Sequence, residues 1–399
     1  MKIYIYPIKS LMSHGNFITK DSNILLEEIK KRLPDNEFNV ISSLEEFHKD
    51  GLLLFLIQSG GSEDIFKKDI FPFYEGPFHL LTYGSSNSLA ASLEILTFLK
   101  QNGKKSEVLH GNYDYICERI SFLGKEKIVS RKSRLGVIGK PSDWLISSEV
   151  DYKKCLDVFN IELIDIPQEE VIEEINKIDD KSLEASKFTY NEIEIKKALK
   201  IYEALKKIVA RYNVEGFTIR CFDIISIVKS SACLALALFN KDEIIATCEG
   251  DIPAMLTAFL IKKYLGVTAF QANPQWIEPK KNEIEFAHCT LPLNMCSSYV
   301  FDTHFESGIG VGIHGELDLG NVTIVKINSE LNEFYVEEGT LLENDYRKDR
   351  CRTQIKIKLD SPVTYFLTSS LGNHHQIIYG HHKNELEKYF KELGLRRVI

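Results

Sequence analysis

The chain has no long apolar run, no closely spaced cysteine pair and no excess of basic charge, and each of these gaps removes a class of function. Nothing approaches the roughly 18 consecutive apolar residues of a membrane span, so no membrane partner is expected. The opening "MKIYIYPIKS" is too short an apolar run for a secretory signal and lacks a cleavage-like small-residue site, which predicts a cytoplasmic protein. A formal net charge of -8 argues against a nucleic-acid partner, whose binding needs clustered Lys and Arg to neutralise phosphates. The eight cysteines (117, 155, 221, 233, 248, 289, 296, 351) lie far apart without a CxxC pair. They predict neither a disulfide framework nor a thiolate zinc site, but reduced, buried thiols. No GxGxxG or Walker loop is present either, which removes the usual nucleotide sites.

What the chain does contain is ordinary globular material: 399 residues, 44% of them hydrophobic, enough for two or three domains with cores of their own. The first third alternates apolar runs with amphipathic stretches: "KIYIYPI", "SNILLEEIKKRL", "LLLFLIQSGG", "FHLLTYGSSNSLAASLEILTFLKQNG" and "SEVLHG". Strands alternating with helices imply parallel βαβ units. In the longest stretch "HLLTYG" reads as a strand, "SSN" as turn and cap, and "LAASLEILTFLKQNG" as a helix stopped by Gly103. After the charged "GKEKIVSRKSR" the pattern starts again with "LGVIG", the turn "KPSDW", a helix and the strand "IELIDI".

The charge-rich segment from "EEVIEEINKIDD" to "KKIVARYN" predicts helices with solvated faces. Strands are then expected at "GFTIRCF", "CLALALFN", "EIIATCEGD" and "VTAFQAN". Beyond about residue 290 short β-type runs and glycine turns predict a small antiparallel sheet or barrel, closed by the helix "KNELEKYFKELG". The expected fold is therefore α/β: two Rossmann-like, parallel-sheet domains (1–132 and 133–290), then a β-rich, barrel-like domain (291–399).

Three stretches carry candidate chemistry: "ATCEGDIPAMLTAFL", "FQANPQWIEPKKNEIEFAHCT" and "GNHHQIIYG". Glu249 and Asp251 follow an apolar strand, the end at which open α/β sheets place ligands. If the backbone stays extended there, a spacing of two puts both carboxylates on one face. The competing reading is a helix cap, with Pro253 in the first turn. The second stretch adds Asn273 and His288, and the third His374 and His375; a set of imidazole and carboxylate suits a divalent transition metal.

Alternation would also put Asp302, His304 and Glu306 on one strand face near the same cleft, with His314 beyond, although a polar outer face explains them equally well. The turns "YGSSN" and "GKPSDW" offer backbone N–H groups to a sugar hydroxyl or an anion. His381 and His382 read as a solvated cap before the last helix.

At these residues the chain resembles a family. "ATCEGD" is similar to the strand end of L-fucose isomerase that carries a metal-binding glutamate. "NHHQIIYGH" is similar to that enzyme's late segment, with a metal-binding histidine after Asn and a Gly-His further on. The span from Asn273 to His288 is also similar to L-arabinose isomerase. The likeness covers about residues 215 to 395. It implies that Glu249, His288 and one of His374 and His375 are metal ligands, the fucose-type alignment choosing His374 and the arabinose-type His375.

Asn273 stands where both relatives have a carboxylate; it can coordinate through its carbonyl oxygen but cannot accept a proton. Asp251 is then the nearest candidate for a second base. The resemblance further implies a divalent metal, manganese by preference, a small sugar substrate, and a homo-oligomer (trimer or hexamer). The expected activity is aldose-ketose isomerisation through an enediol, with Glu249 and Asp251 as catalytic groups and Glu249, Asn273, His288 and His374 or His375 at the metal. The alternatives are a carbohydrate-processing enzyme of another reaction type and a non-catalytic sugar-binding protein on the same fold.

Overall fold

The computed structural model describes residues 1–10, 16–129 and 131–399. The chain divides into two compact units, Met1–Ser130 and Arg131–Ile399. The first holds a parallel sheet of β1 (Lys2–Ile8), β2 (Glu37–Val40), β3 (Leu52–Ile57), β4 (Phe78–Leu81) and β5 (Ser106–Leu109), in the order β2-β1-β3-β4-β5. The central β3, "LLLFLI", is buried at all of its residues, as a parallel strand covered by helices on both faces must be. Helix Ser88–Gln101 follows β4 and ends before Gly103, whose φ of +67° suits a helix stop.

The second unit opens with another parallel sheet, β6 (Ser133–Ile138), β7 (Ile161–Ile166), β8 (Gly216–Ile219) and β9 (Ile245–Cys248), in the order β7-β6-β8-β9. The charge-rich segment forms the helices Gln168–Asn176 and Glu192–Tyr212, as its pattern predicts. "CLALALFN" is not a strand but most of the buried helix Cys233–Lys241. Alanine and leucine are strong helix formers, and a run apolar on every side suits a buried helix as well as a buried strand.

The remaining strands are β10 (Phe270–Glu278), β11 (Glu283–His288), β12 (Ser298–Asp302), β13 (Gly312–Glu316), β14 (Gly320–Ile327), β15 (Glu333–Asp345), β16 (Thr353–Leu359), β17 (His375–Tyr379) and β18 (Arg396–Arg397). Antiparallel pairing runs β14-β17-β10-β11-β16-β15 and closes through β14–β15, making a six-stranded barrel. "VTAFQAN" therefore does not extend the parallel sheet: its residues enter β10, which pairs antiparallel with β11 and β17. Periodicity reports a strand but not its partners, which are set by distant residues.

Helix Ile252–Leu265 joins the two layers. It is buried over Ile252–Ile261, in keeping with a helix apolar all round, and runs from an Asp251 cap to Gly266 at φ +77°. One apolar cluster continues from the helices at Ile195 and Leu234 into the barrel at Phe286 and Ile377. The carboxyl end of β9 is thus set directly against the barrel end that carries His288 and His374. All eight cysteines are free, and six are buried.

Candidate metal centre

The centre begins where β9 ends. The chain is not extended past Cys248: Glu249 has φ +65° and Gly250 φ +70°, a left-handed turn that redirects the backbone into the next helix. A side chain at 250 would put Cβ 2.3 Å from Lys140 O, so glycine is required for the "GKPSDW" turn to lie against it. That turn is fixed to the site twice. Ser142 N donates to Glu249 O at 3.0 Å, and Trp144 Nε1 donates to Glu249 Oε2 at 3.0 Å.

The two carboxylates reach opposite nitrogens of one imidazole rather than sharing a strand face. Asp251 Oδ2 lies 2.8 Å from His374 Nδ1, and Glu249 Oε1 lies 3.4 Å from His374 Nε2. Asp251 is also the helix cap, its Oδ1 accepting from Ala254 N at 2.8 Å, while Lys326 Nζ stands 3.7 Å from Oδ2. Both oxygens of this buried carboxylate are thereby engaged. His288 Nε2 approaches Glu249 Oε1 at 3.8 Å. One ligand atom from each of Glu249, His288 and His374 lies within 4.8 Å of the others.

The electrostatics follow from burial and from the charges set side by side. Burial alone would raise the Glu249 carboxyl, but His374 and His288 hold it down at about 2. Burial also opposes charge on His374, yet Glu249 and Asp251 outweigh it and lift the imidazole to about 9. His288 is pushed down to about 3 by burial and by the neighbouring His374. Asp251 is held well below the usual carboxylate range: burial raises it, and Lys326 and His374 more than offset that.

A divalent cation fits this donor set. His288 Nε2 and His374 Nε2 are buried and make no hydrogen bond among the described residues, although both face Glu249 Oε1 at 3.8 and 3.4 Å, a spacing that leaves their bonding capacity unsatisfied. A carboxylate oxygen stands between them, and mixed imidazole and carboxylate ligation suits transition metals. Cys289 N donates to His288 Nδ1 at 2.9 Å, and Thr290 Oγ1 lies 2.9 Å from the same nitrogen, so these contacts fix the ring and turn Nε2 toward Glu249.

The other expected residues are distributed as follows. Asn273 pairs with Ala287, beside His288, and its Oδ1 is buried without a hydrogen bond among the described residues. His375 points elsewhere: Nε2 meets Tyr365 OH at 3.1 Å, Nδ1 meets Asn373 O at 2.9 Å, and the ring packs on Phe366 at 4.9 Å. With both nitrogens occupied inside the barrel, His375 lies outside the cluster. β12 stops at Asp302, so Asp302, His304 and Glu306 do not share a strand face; a hydrogen-bonded turn follows instead, Gly308 N donating to His304 O. His314 is held by Arg352 O, and His381 and His382 face Glu338 and Glu385 in the cap region. "YGSSN" lies in the first unit, where Gly84 and Ser85 line a cavity of about 390 Å³ with Asp21 and His110.

Two residues escaped the sequence reading. Trp144 carries no motif signal. Lys326 had one: alternation puts it on the face of Val322 and Ile324, both fully buried, where a lysine needs a partner.

No family model matches the chain. Distant relatives are named sulfoquinovose isomerase. The one from Alkalicoccus urumqiensis is 21% identical over 335 residues, covering 77% of this chain and 74% of the relative. The one from Priestia megaterium is 20% identical over 243 residues, covering 58% of this chain, and that from Clostridium sp. is 23% identical over 207 residues, or 47%. The chain thus spans about half the length of the Priestia relatives, 53% of each.

Proposed function

We propose that the chain is a sugar isomerase that interconverts an aldose and a ketose with the help of a divalent metal, manganese by preference, held by Glu249, His288 and His374 with Asn273 alongside. The observation that carries this reading is the pair of buried, unpartnered imidazole nitrogens facing one carboxylate. A bound cation supplies Lewis-acid stabilisation to the oxygens on C1 and C2 of the sugar. The chain's own residues do the rest. Asp251, pinned by Lys326 and the helix N-terminus, fixes the ring of His374 and presents Nε2 to the site; it acts on the histidine rather than on the sugar. Trp144 orients Glu249 and, being half exposed, offers a ring face to a sugar. The names of the relatives make sulfoquinovose the first aldose to test. The family likeness supports a homo-oligomer.

The test is elemental analysis after incubation with manganese and dialysis, beside Glu249→Ala, followed by assay of ketose formation from sulfoquinovose, L-fucose and L-arabinose. About one metal per chain, absent in the variant, with ketose formed from one of these sugars, is the expected result. Sugar binding that is indifferent to chelator, without metal or turnover, would assign the chain to the sugar-binding alternative.

A further inference from the structure

Isomerisation needs a group that accepts a carbon-bound proton, and the carboxylates of the metal centre are committed elsewhere. Both oxygens of Asp251 are engaged, Glu249 faces Trp144 and two imidazoles, and Asn273 has no basic atom. A further acid, Glu306, lies on the loop between β12 and β13. This loop is clamped at both ends. Arg352, itself buried, donates to Thr303 O at 2.7 Å, and Ser231 Oγ exchanges hydrogen bonds with Val311 N and Val311 O at 2.9 and 2.7 Å. Gly310 presses so closely on Ser231 that a Cβ there would lie 2.4 Å from its nitrogen.

The clamped loop turns His304 inward. Its ring meets Phe222 edge-on at 5.5 Å, Phe222 meets Trp144 at 4.8 Å, and Trp144 donates to Glu249, giving continuous contact from the loop to the metal centre. Ser307 occupies His304 Nδ1 at 3.0 Å, and Nε2 makes no hydrogen bond among the described residues. Glu306, two residues on, is exposed and forms no hydrogen bond or ion pair among them. Glu249 lies within electrostatic reach of both: its charge raises the Glu306 carboxyl beyond the effect of partial burial, and it opposes the fall that burial imposes on His304.

We infer that Glu306 is the proton-transferring carboxylate of this site, with His304 as the hydrogen-bonding partner of the sugar oxygens. The inference rests on the isomerase reading. Glu306 takes the proton from C2 of the aldose, and the C–H electron pair becomes the C1=C2 bond of an enediol. The carbonyl pair moves to O1, which receives the O2 proton by way of His304 Nε2. Glu306 returns its proton to C1 as the O2 pair rebuilds the carbonyl at C2, so no atom or electron is gained or lost.

The test is Glu306→Gln assayed with the aldose that the wild type turns over, alongside metal content, Tm and quenching of Trp144 fluorescence by the sugar. kcat should fall about 10²- to 10⁴-fold, the range for a general acid-base group, while metal content, Tm and quenching stay at wild-type values. Glu306→Asp should recover part of the loss. Near-normal turnover in Glu306→Gln overturns the assignment alone. A wild type that binds metal yet isomerises none of the sugars overturns the isomerase reading, and this assignment with it.

Discussion

Two buried carboxylates in the second unit invite comparison. Glu337, 1% exposed, is met by Lys383 Nζ at 2.6 Å, by Arg397 Nη2 at 3.2 Å and by Glu338 N at 3.0 Å. Glu249, 12% exposed, faces two imidazoles and an indole. Each cluster leaves buried nitrogens without a hydrogen bond among the described residues: at Glu337 the Nε of Arg397, and at Glu249 the Nε2 atoms of His288 and His374. A leftover guanidinium donor cannot hold a cation, whereas leftover imidazole nitrogens can. The first cluster is therefore an ion network that holds strands together, and the second is a donor set that could hold a divalent cation.

Exchanging the lesions between the clusters gives the largest contrast. Glu249→Ala should abolish metal binding while shifting the Tm of the metal-free protein only modestly. Glu337→Ala should do the reverse, retaining metal but losing about 1.5–3 kcal/mol, because two partly exposed cations lose a charged hydrogen-bond partner. Calorimetry beside elemental analysis reads both, and a Glu337→Ala protein that loses its metal would dissolve the distinction. The adjacent histidines repeat the contrast. His374→Ala should lose the metal. His375→Ala should keep it and lose about 2–4 kcal/mol, through a cavity beside Phe366 and an orphaned Tyr365 hydroxyl. The opposite pattern would move the ligand to His375.

That last pair shows where reading the sequence stops. Local signals carried far: the buried run at Leu52–Ile57, the charged helices Gln168–Asn176 and Glu192–Tyr212, and the carboxylates past β9 all follow from periodicity and position. Choosing between His374 and His375 depends on which face of β17 looks into the barrel. Pairing of Ala272 with His375 sets that face, a contact across 103 residues that no local pattern contains. The apolar run in the helix Cys233–Lys241 has no alternation, so it lacks a period that would tell helix from strand. Asp302, His304 and Glu306 alternate as a strand would, but β12 stops at Asp302 and the chain turns back on itself, Gly308 N donating to His304 O with Gly308 at φ +67°.

The charge on His374 predicts two pH effects of opposite sign. Its folded pKa, about 9, lies above the ordinary 6.5, so the metal-free fold is stabilised fully below about pH 6.5 and loses that stabilisation as pH rises through 9. A cation competes with the proton on Nε2, so metal binding at pH 7 should release about one proton per chain. Affinity should then climb about tenfold per pH unit and flatten above about 9. Thermal melts of chelated protein and metal titrations in buffers of differing ionisation enthalpy read the two trends. A flat melting profile with no proton release would mean that His374 is neutral in the metal-free protein.

The smallest expected effect tests how Glu249 is aimed. Two features fix this side chain: its left-handed backbone, locked by Gly250 against Lys140, and the indole N–H of Trp144 on Oε2. Trp144→Phe removes the donor and keeps an aromatic ring against Phe222. Trp144 is 51% exposed, so water can take the place of the lost N–H, and the drop in metal affinity should sit at the low end of the range for such supporting hydrogen bonds, about tenfold. Competition against a chelator of known affinity measures it. An unchanged affinity would mean that the backbone turn alone presents Glu249, and would leave the indole to the sugar.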